Sequence, residues 1–388
     1  MKTPKKYALL ACITLSSLSL IPLIKNRSQH RQAIVAKDAK PIDWMDSIII
    51  RQFSRFENSG ITRKMIDKTW DKCHSKCSWF KRYKIIDSKV YGETSNVKFL
   101  LEKMVEQYQV PDVDFIYYNH DKISKPLYNS LAKHKIAPIF VSAKEVDMDR
   151  LILFVDWYYN IKETKNFGWN SLIQRIDKAQ CQWPWENKIE KAFWRGSPTD
   201  GLYNWKTLKN YPRGRLVYES KKNAEFFDAS FVNYPSWQVS DINSFVENLG
   251  KATFIHPDEQ IKFKYQIDLD GVTCSYPGTQ WKLISGCLLI KQQTKDVMWF
   301  YEKLVPWKHY VPLDADLKNL TERIQWAKEH DSEARKIAMQ AREFAKNHLM
   351  PEHILLFCYK ALLKYASLQT FKPSLTKKEK STKSPSCA

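Results

Sequence analysis

The run FKYQIDLDGVTCSYPGTQWKLISGCLLIK, at residues 263–291, contains strand, turn, helix and strand signals in close succession. Its first part, FKYQIDLDG, predicts a buried strand that ends at the turn Asp270-Gly271. QWKLISG predicts the start of a helix, and CLLIKQ predicts a further strand. The run therefore predicts an α/β unit of a parallel sheet.

The loop between that first strand and the helix is a candidate ligand site. In parallel α/β sheets, ligands bind at the carboxyl ends of the strands, on loops and helix N-termini. A purely structural turn is the alternative interpretation of the same residues. The candidate residues of this loop are Gly271, Val272, Thr273, Cys274 and Ser275.

The same alternation continues on both sides of this run. APIFVSA (137–143), LILFVDWYY (151–159) and KAFWRG (191–196) predict strands, and SLIQRIDKAQ (171–180) predicts a helix. The C-terminal region is predicted to be helical. Residues from 30 to about 110 are polar and are predicted to be helix-prone.

A second candidate site is FWRGS at residues 193–197, which the cationic cluster Arg213-Gly214-Arg215 follows. Glycine lets the backbone approach a phosphate closely, while arginine and serine donate hydrogen bonds and charge. Arg195 and Ser197 are therefore candidate phosphate ligands. A strand end followed by an ordinary turn has the same composition, so that alternative stays open.

Two aspartates follow predicted strands and are candidates for acid–base chemistry. Asp121 ends YYNHD, and a carboxylate at a strand end can reach a substrate hydroxyl as a general base. His120 is its neighbour and rival. Asp156 and Trp157, at the end of LILFVDW, raise the same choice between a catalytic role and a structural one. For both aspartates, a solvated side chain that caps a turn is the commoner case.

The composition favours a globular protein with an anionic ligand. The 388 residues include 62 Lys and Arg against 42 Asp and Glu, a net charge of +20, which attracts nucleic acid, anionic lipid or a nucleotide diphosphate. The sequence has no nucleic-acid motif in which aromatic residues interleave with basic ones. We therefore expect no nucleic-acid partner.

Taken in order, the motifs resemble glycosyltransferase family 90. The motifs are YYNHD, PIFVSA, the segment from WPW to FWRGS, RGR, FKYQIDLDG with QWKLISG, and PWKHYVPLDADLKNL. The resemblance covers roughly residues 70–368. It implies a GT-B fold, in which two Rossmann-like domains face a cleft and C-terminal helices cross back. It also implies transfer of a sugar from a UDP-sugar to a hydroxyl with inversion, without a required metal or other cofactor.

The resemblance also implies roles for the candidate residues. Asp121 falls on the family's catalytic base, and the segment at Asp156 and Trp157 falls near the stretch that lines the acceptor. Ser197 matches a serine that contacts the UDP-sugar, and the loop at residues 271–275 surrounds the UDP. Arg213 best matches an arginine that meets the nucleotide, with Arg215 a close rival.

One departure from the family concerns the charge of the diphosphate. The family usually places an arginine just after the serine of the UDP loop, and SYPGTQWK, at residues 275–282, contains none. Lys282 is one candidate substitute, although a lysine lacks the bidentate fork of arginine. The N-terminus of the following helix together with Arg195 is the other.

No metal is expected at two motifs that resemble metal sites. Asp268-Leu269-Asp270 imitates the DxD motif of some glycosyltransferases, but a glycine turn after a strand explains it equally well. Cys73, His74 and Cys77 lack a second pair of ligands at zinc-finger spacing.

The length predicts two domains. We expect a signal anchor or signal peptide at residues 1–29, an acceptor-side domain at 30–188, a UDP-sugar-binding domain at 189–370 and a basic disordered tail at 371–388. The acceptor is expected to be a hydroxyl of a surface glycan, a lipopolysaccharide or another lipid-linked glycan, or a protein. The alternative is a membrane-anchored carbohydrate-binding protein of the same fold with weak or absent turnover.

The N-terminal stretch predicts contact with a membrane. Lys2, Lys5 and Lys6 precede the uncharged residues 7–24, and further basic residues follow. We expect an uncleaved single-pass anchor, with a cleaved signal peptide as the alternative. The sequence ends SPSCA rather than in a KDEL-type signal, which favours the bacterial inner membrane over the ER or Golgi.

Overall fold

The computed structural model describes residues 43–155 and 168–376, which contain two five-stranded sheets and surrounding helices. The strands are β1 (Phe80–Ile86), β2 (Lys89–Tyr91), β3 (Val113–Tyr118), β4 (Ile139–Val141), β5 (Lys144–Glu145), β6 (Leu151–Leu153), β7 (Ile189–Gly196), β8 (Phe227–Phe231), β9 (Phe263–Asp268), β10 (Leu288–Gln292), β11 (Asp296–Val297) and β12 (Val311–Leu313). The α-helices are α1 (Asp43–Phe53), α2 (Arg63–His74), α3 (Asn96–Gln107), α4 (Lys125–Ala132), α5 (Trp169–Gln182), α6 (Pro212–Lys222), α7 (Ile242–Leu249), α8 (Pro257–Gln260), α9 (Gly278–Ile284), α10 (Leu320–Glu329), α11 (Asp331–His348) and α12 (Pro351–Leu368).

The first sheet has the order β2-β1-β3-β4-β6. Its β2-β1-β3 side is antiparallel, whereas β3, β4 and β6 run parallel. The prediction that residues up to about 110 are helix-prone is wrong for β1 and β2. β1 pairs with β3 from Phe80 to Ile85, and this pairing overrides the weak strand preference of its charged residues.

The second sheet, in the order β12-β10-β9-β7-β8, is parallel throughout. Every residue of β9 and β10 is buried, as expected for central strands that helices cover on both faces. The predicted sequence of β9, α9 and β10 is therefore confirmed. Parallel Rossmann-like elements also confirm the predicted α/β class.

Helix α12 packs against the first sheet, although it follows the second sheet in the chain. Tyr365 of α12 donates a hydrogen bond from its hydroxyl to the carbonyl oxygen of Asp114 at 2.8 Å. Its ring also lies against Phe115, Phe140 and Phe53, with centroid distances of 5.6 to 6.2 Å. The last described helix thus completes the core that surrounds the first sheet.

The two halves of the chain meet where strands of both sheets end. β5, just after the first sheet's β4, pairs antiparallel with β11, just after the second sheet's β10. Lys122, beyond β3, forms an ion pair with Asp296 at 2.7 Å. A cavity lined by Lys122 and Glu145 from one side and by Asp270 and Gly271 from the other marks a crevice between the loops that follow the strands of both sheets. The domain boundaries stay a prediction.

Candidate functional site

A cavity of about 310 Å³ lies at the C-terminal ends of β7 and β9. Its walls are residues 193–196 of β7, Arg213 of α6, residues 275–278 of the loop after β9, and Trp281 and Lys282 of α9. Arg195, Arg213, Ser275 and Lys282, which the sequence predicted as donor-site residues, thus come together although up to 87 positions separate them in the chain. This cavity is the candidate donor site.

Arg213 holds the floor of this cavity together. Its guanidinium donates to the carbonyl oxygens of Ser197 (2.8 Å), Leu269 (3.1 Å) and Asp270 (3.0 Å), and to the Thr199 hydroxyl (2.7 Å). These four bonds use four of the five N–H donors of an arginine. Arg213 therefore ties the turn after β7 to the loop after β9.

The N-terminus of α6, which follows the same turn, is already satisfied by protein groups. The Asp200 carboxylate accepts a hydrogen bond from the Arg213 backbone N–H at 2.9 Å, and the Tyr203 hydroxyl accepts one from the Gly214 N–H at 3.1 Å. A carboxylate at this position complements the positive end of the helix. A phosphate group would have to compete with Asp200 there.

Arg195 lies on the opposite wall and is paired with Asp228. Its guanidinium donates to the Asp228 carboxylate at 2.7 Å and to the Asp228 carbonyl at 2.9 Å, and it lies 4.4 Å from the centre of the Phe193 ring. The Asp228 side chain is 36% exposed, so the pair borders solvent. The charge of Arg195 is partly compensated before any ligand binds.

Ser197 and Gly196 form the turn at the end of β7. The Ser197 hydroxyl donates to the side-chain oxygen of Asn233. A Cβ atom on Gly196 would lie 2.4 Å from the Trp194 ring, so only glycine fits this position. The backbone therefore passes close to the cavity without an intervening side chain.

The loop that begins at Gly271 is partly exposed and partly buried. Val272 is exposed, whereas Thr273 and Cys274 are buried, and burial raises the pKa of the Cys274 thiol well above its usual value. A Cβ on Gly271 would lie 2.4 Å from the Thr199 hydroxyl oxygen and 2.8 Å from Arg213. Gly271 and Val272 also line a second cavity of about 400 Å³, which reaches Lys122 in the crevice.

Lys282 is paired with the buried carboxylate of Asp268. Its Nζ donates to Asp268 Oδ1 at 2.6 Å, while Thr279 donates to the other oxygen at 2.7 Å. Burial lowers the pKa of Lys282; burial also opposes ionisation of Asp268, but Lys282 and Lys291 keep the pKa of that carboxyl below its usual value. Lys282 lines the cavity, yet its charge is already compensated.

Asp270, the second aspartate of the DxD motif, is separately bound. Its Oδ2 accepts from the Thr294 hydroxyl at 2.5 Å, and burial raises its pKa. Within residues 43–155 and 168–376, no group of three His, Cys, Asp or Glu side chains is arranged to hold a metal ion. The hydrogen bonds described for Asp268 and Asp270 are therefore all with other residues of the protein.

Asp121 lies beyond β3, on the far side of the crevice from β9. The Tyr276 hydroxyl lies 3.2 Å from Asp121 Oδ1 and 3.0 Å from its carbonyl oxygen. Tyr276 lines the donor cavity, so Asp121 neighbours that cavity through this side chain. On its other side, the His120 ring lies 4.6 Å from the Trp79 ring, and Trp79 is 46% exposed.

Several predicted donor-site residues do not line the donor cavity. Ser197 follows its wall at Gly196, Gly271 and Val272 line the second cavity, and Thr273 and Cys274 are buried. Arg215 points away from both cavities and donates to the carbonyl oxygens of Lys209 and Asp316. On a helix, positions 213 and 215 face different directions, which explains why only Arg213 reaches the site. Asp156 and Trp157 lie outside the described residues.

Sequence reasoning missed Phe254, Tyr276 and Trp281, which are aromatic residues of the donor cavity. Phe254 lines its mouth and is 60% exposed, and Tyr276 connects it to Asp121. An aromatic residue in the polar stretch KATFIHPDE was the available signal for Phe254. Tyr276 gave no signal, because its partner lies 155 positions away.

Residues 44–388 match the family model of Glycosyl transferase family 90, so the chain belongs to that family. This match confirms the family and the enzyme class, a glycosyltransferase, that the sequence predicted. The curated proteins that are similar to this chain include protein O-glucosyltransferases.

Protein O-glucosyltransferase 2 of Danio rerio is 28% identical over 318 residues, which cover 80% of this chain and 59% of that protein. Protein O-glucosyltransferase 3 of Mus musculus is 35% identical over 191 residues, 49% of this chain and 35% of that protein. Protein O-glucosyltransferase 1 of Homo sapiens is 25% identical over 325 residues, 80% and 77% respectively. The chain thus spans about three fifths or less of the first two relatives.

Solved structures show a weaker likeness. Anabaena Alr3699/HepE in complex with UDP and glucose has a TM-score of 0.38 and 10% identity, with 70% of this chain and 75% of that chain covered. A likeness at this level carries no argument about the site.

The predicted localisation was wrong. A single-pass protein of the bacterial inner membrane was expected, but the curated relatives described above are animal proteins. In the parts of the chain that the structure describes, no helix is long and apolar enough to cross a bilayer. The expected anchor at residues 7–24 lies outside those parts.

Proposed function

We propose that this protein is an inverting glycosyltransferase that moves a sugar from a UDP-sugar to a hydroxyl of a protein acceptor. The observation that carries the proposal is the cavity of about 310 Å³, which joins Arg195, Arg213 and the loop at Ser275 and is linked to Asp121 through Tyr276. A GT-B arrangement is part of the proposal. It is supported by the crevice between the two sheets and by the return of α12 to the first sheet.

The nucleotide end of the donor fits the cavity mouth. Phe254 offers an exposed ring on which a uracil base stacks, since every nucleobase has a flat π-face. The diphosphate then lies towards Arg195, the backbone at Gly196 and the remaining N–H of Arg213. These N–H groups are held in place before the UDP-sugar binds, so they stabilise the charge that develops on the leaving UDP.

Asp121 acts as the general base in this proposal. Its carboxylate takes the proton of the acceptor hydroxyl as that oxygen attacks the anomeric carbon from the face opposite UDP. A new bond forms between the acceptor oxygen and the anomeric carbon, and the bond from that carbon to the phosphate oxygen breaks. The bonding electrons leave with UDP, and one attack from the opposite face inverts the configuration.

The acceptor approaches from the crevice. Trp79 and His120 present two rings in contact, tilted by 50°, beside Asp121, and the second cavity provides about 400 Å³ of space near Lys122. We propose a protein hydroxyl rather than a surface glycan or lipopolysaccharide because the curated relatives are named protein O-glucosyltransferases. A role for Asp156 and Trp157 in acceptor binding stays a prediction.

A donor screen tests this proposal. Purified protein is incubated with UDP-glucose, UDP-galactose, UDP-xylose or UDP-N-acetylglucosamine and a folded protein acceptor, and free UDP and glycosylated product are measured. One donor is expected to give acceptor-dependent UDP release together with a product of inverted anomeric configuration. Retention of configuration, or the absence of product with every donor and acceptor, contradicts the proposal.

A second candidate function is carbohydrate or nucleotide binding with little turnover. Two cations of the donor cavity already have acidic partners, because Lys282 is paired with Asp268 and Arg195 with Asp228. This compensation of charge at the diphosphate position favours binding with little turnover. Calorimetry separates the two functions. UDP binding without transfer or hydrolysis of any donor favours the binding protein, whereas measurable turnover rules it out.

A further inference from the structure

The hydroxyl of Tyr276 spans the crevice and reaches the proposed base. It lies 3.0 Å from the carbonyl oxygen of Asp121 and 3.2 Å from Oδ1 of the same residue. Tyr276 belongs to the loop after β9, whereas Asp121 belongs to the loop after β3. The contact therefore joins one residue from each side of the proposed active site.

In this contact the Tyr276 hydroxyl is the donor and Asp121 is the acceptor. The hydroxyl carries one proton, and the two oxygens of Asp121 share that proton in a three-centre hydrogen bond. The shared bond fixes the Asp121 side chain relative to its own backbone and to the opposite loop.

Tyr276 is itself held by the donor loop. Its backbone N–H donates to the Cys274 carbonyl at 3.1 Å, and its side chain lines the donor cavity together with Ser275 and Pro277. A change in the position of this loop therefore moves the hydroxyl that contacts Asp121. Occupation of the cavity and orientation of the base are linked through one side chain.

We propose that Tyr276 is a positioning residue that orients Asp121 for proton transfer and couples it to the donor cavity. The inference rests on the proposed function, because it needs Asp121 to be the base. Tyr276 exchanges no proton with the substrate. Its hydroxyl keeps the carboxylate oxygens directed at the acceptor hydroxyl while UDP-sugar fills the neighbouring cavity.

Tyr276→Phe removes only the hydroxyl. We expect kcat to fall about 10- to 100-fold, because a small misplacement of a catalytic group has effects of this size, while the Kd of UDP changes less than about twofold. The loss is therefore expected in kcat and not in donor affinity. A purely structural role would lower stability and leave the kcat of the folded variant unchanged.

Tyr234→Phe is the matched control. Tyr234 is buried and, like Tyr276, donates its hydroxyl to a backbone carbonyl, that of Gly250, but it lies outside both cavities. Loss of this hydroxyl is expected to lower stability without changing kcat. If Tyr276→Phe does not fold, 3-fluorotyrosine at position 276 keeps the shape and makes the hydroxyl more acidic. Activity of that variant is then expected to decline at a lower alkaline pH than in the natural protein.

The outcomes separate this inference from the proposed function. A folded Tyr276→Phe variant with natural kcat overturns the role of Tyr276 alone, as does a fluorotyrosine variant with an unchanged alkaline limb. Absence of transfer by the natural protein overturns the proposed function and, with it, the role of Tyr276. A selective loss of kcat with unchanged UDP affinity, absent from the Tyr234→Phe control, supports the role.

Discussion

Lys282 of α9 and Asp268 at the end of β9 form an ion pair, with Nζ 2.6 Å from Oδ1 and both side chains less than a tenth exposed. Lys282 is one of the two substitutes that the sequence offered for the missing loop arginine. Because Asp268 already compensates the charge of Lys282, we expect Lys282 to contribute to the stability of the protein before it contributes to diphosphate binding. The other substitute, the N-terminus of α9, belongs to a helix of only seven residues.

Lys282→Met is therefore expected to destabilise the protein. The substitution leaves the Asp268 carboxylate buried without its partner, which costs about 3–5 kcal/mol of the free energy of unfolding. Urea denaturation measures the change. Lys318→Met, at a lysine whose side chain is 80% exposed, is the control and is expected to change stability by less than about 0.5 kcal/mol. A Lys282→Met variant of natural stability that has lost UDP binding would show instead that Lys282 binds the diphosphate.

Asp121→Asn is expected to abolish transfer and to leave UDP binding intact. The amide keeps the shape of the side chain but cannot accept the acceptor's proton, so kcat falls by about 100-fold or more. Product formation and UDP calorimetry measure the two effects. Asp316→Asn, on the exposed loop before α10, is the control. Normal turnover by Asp121→Asn would remove Asp121 from the mechanism.

Phe254→Ala is expected to weaken donor binding. Loss of the stacking surface costs about 1–3 kcal/mol, equivalent to an increase of about 5- to 150-fold in the Kd of UDP, with kcat little changed. Trp237→Ala removes an equally exposed aromatic residue, 65% exposed, that lines neither cavity. Equal losses of affinity in both variants would contradict stacking at Phe254.

Transfer is expected to continue in EDTA. Asp268 is bound by Lys282 and Thr279, and Asp270 accepts from Thr294 and is close enough to Lys291 to feel its positive charge, so lysines compensate both carboxylates without a metal. The initial rate is measured after dialysis against the chelator. Loss of activity that Mn²⁺ or Mg²⁺ restores would show that the interpretation of these two aspartates was wrong.

Stability is expected to fall between about pH 6.5 and pH 4 because of His309. Burial, with a smaller effect of Lys308, lowers the pKa of His309 from 6.5 to about 4, so the unfolded chain binds the proton first as pH falls. The stabilising effect is complete above pH 6.5 and is lost down to pH 4, a change of about 3 kcal/mol. Urea denaturation of His309→Asn is expected to show a shallower pH dependence. His134→Asn, at an exposed position, is expected to keep the natural slope, and equal slopes in all three proteins would contradict this account.

The sequence predicted those parts of the fold that have local signals. β9 ends at Asp268, just before the turn Asp270-Gly271, because apolar residues give way to a turn, and FWRG was predicted as the end of a strand for the same reason. β1 and β2 were missed because the charged residues of FKRYKII become strand only through pairing with β3. Their turn uses Asp87 and Ser88 at positive φ, 47° and 58°, a pattern that the sequence permits without requiring.

The site shows the same division. Its residue types were recognisable, so Arg195 and Arg213 were found and do line one cavity. Their partners were not recognisable, because Asp228 lies 33 positions from Arg195 and Asp268 lies 14 positions from Lys282. Which cation keeps an available charge depends on such distant contacts. Sequence patterns name the candidates, and tertiary structure decides among them.

The return of α12 to the first sheet has a consequence for synthesis of the chain on the ribosome. Tyr365 completes the aromatic cluster of Phe53, Phe115 and Phe140, and Phe357 stacks on Trp299 at 4.5 Å. These contacts form only after α12 has emerged from the exit tunnel. The half of the protein that is translated first is therefore the last to acquire its finished core, and until then its apolar surface is open to chaperones.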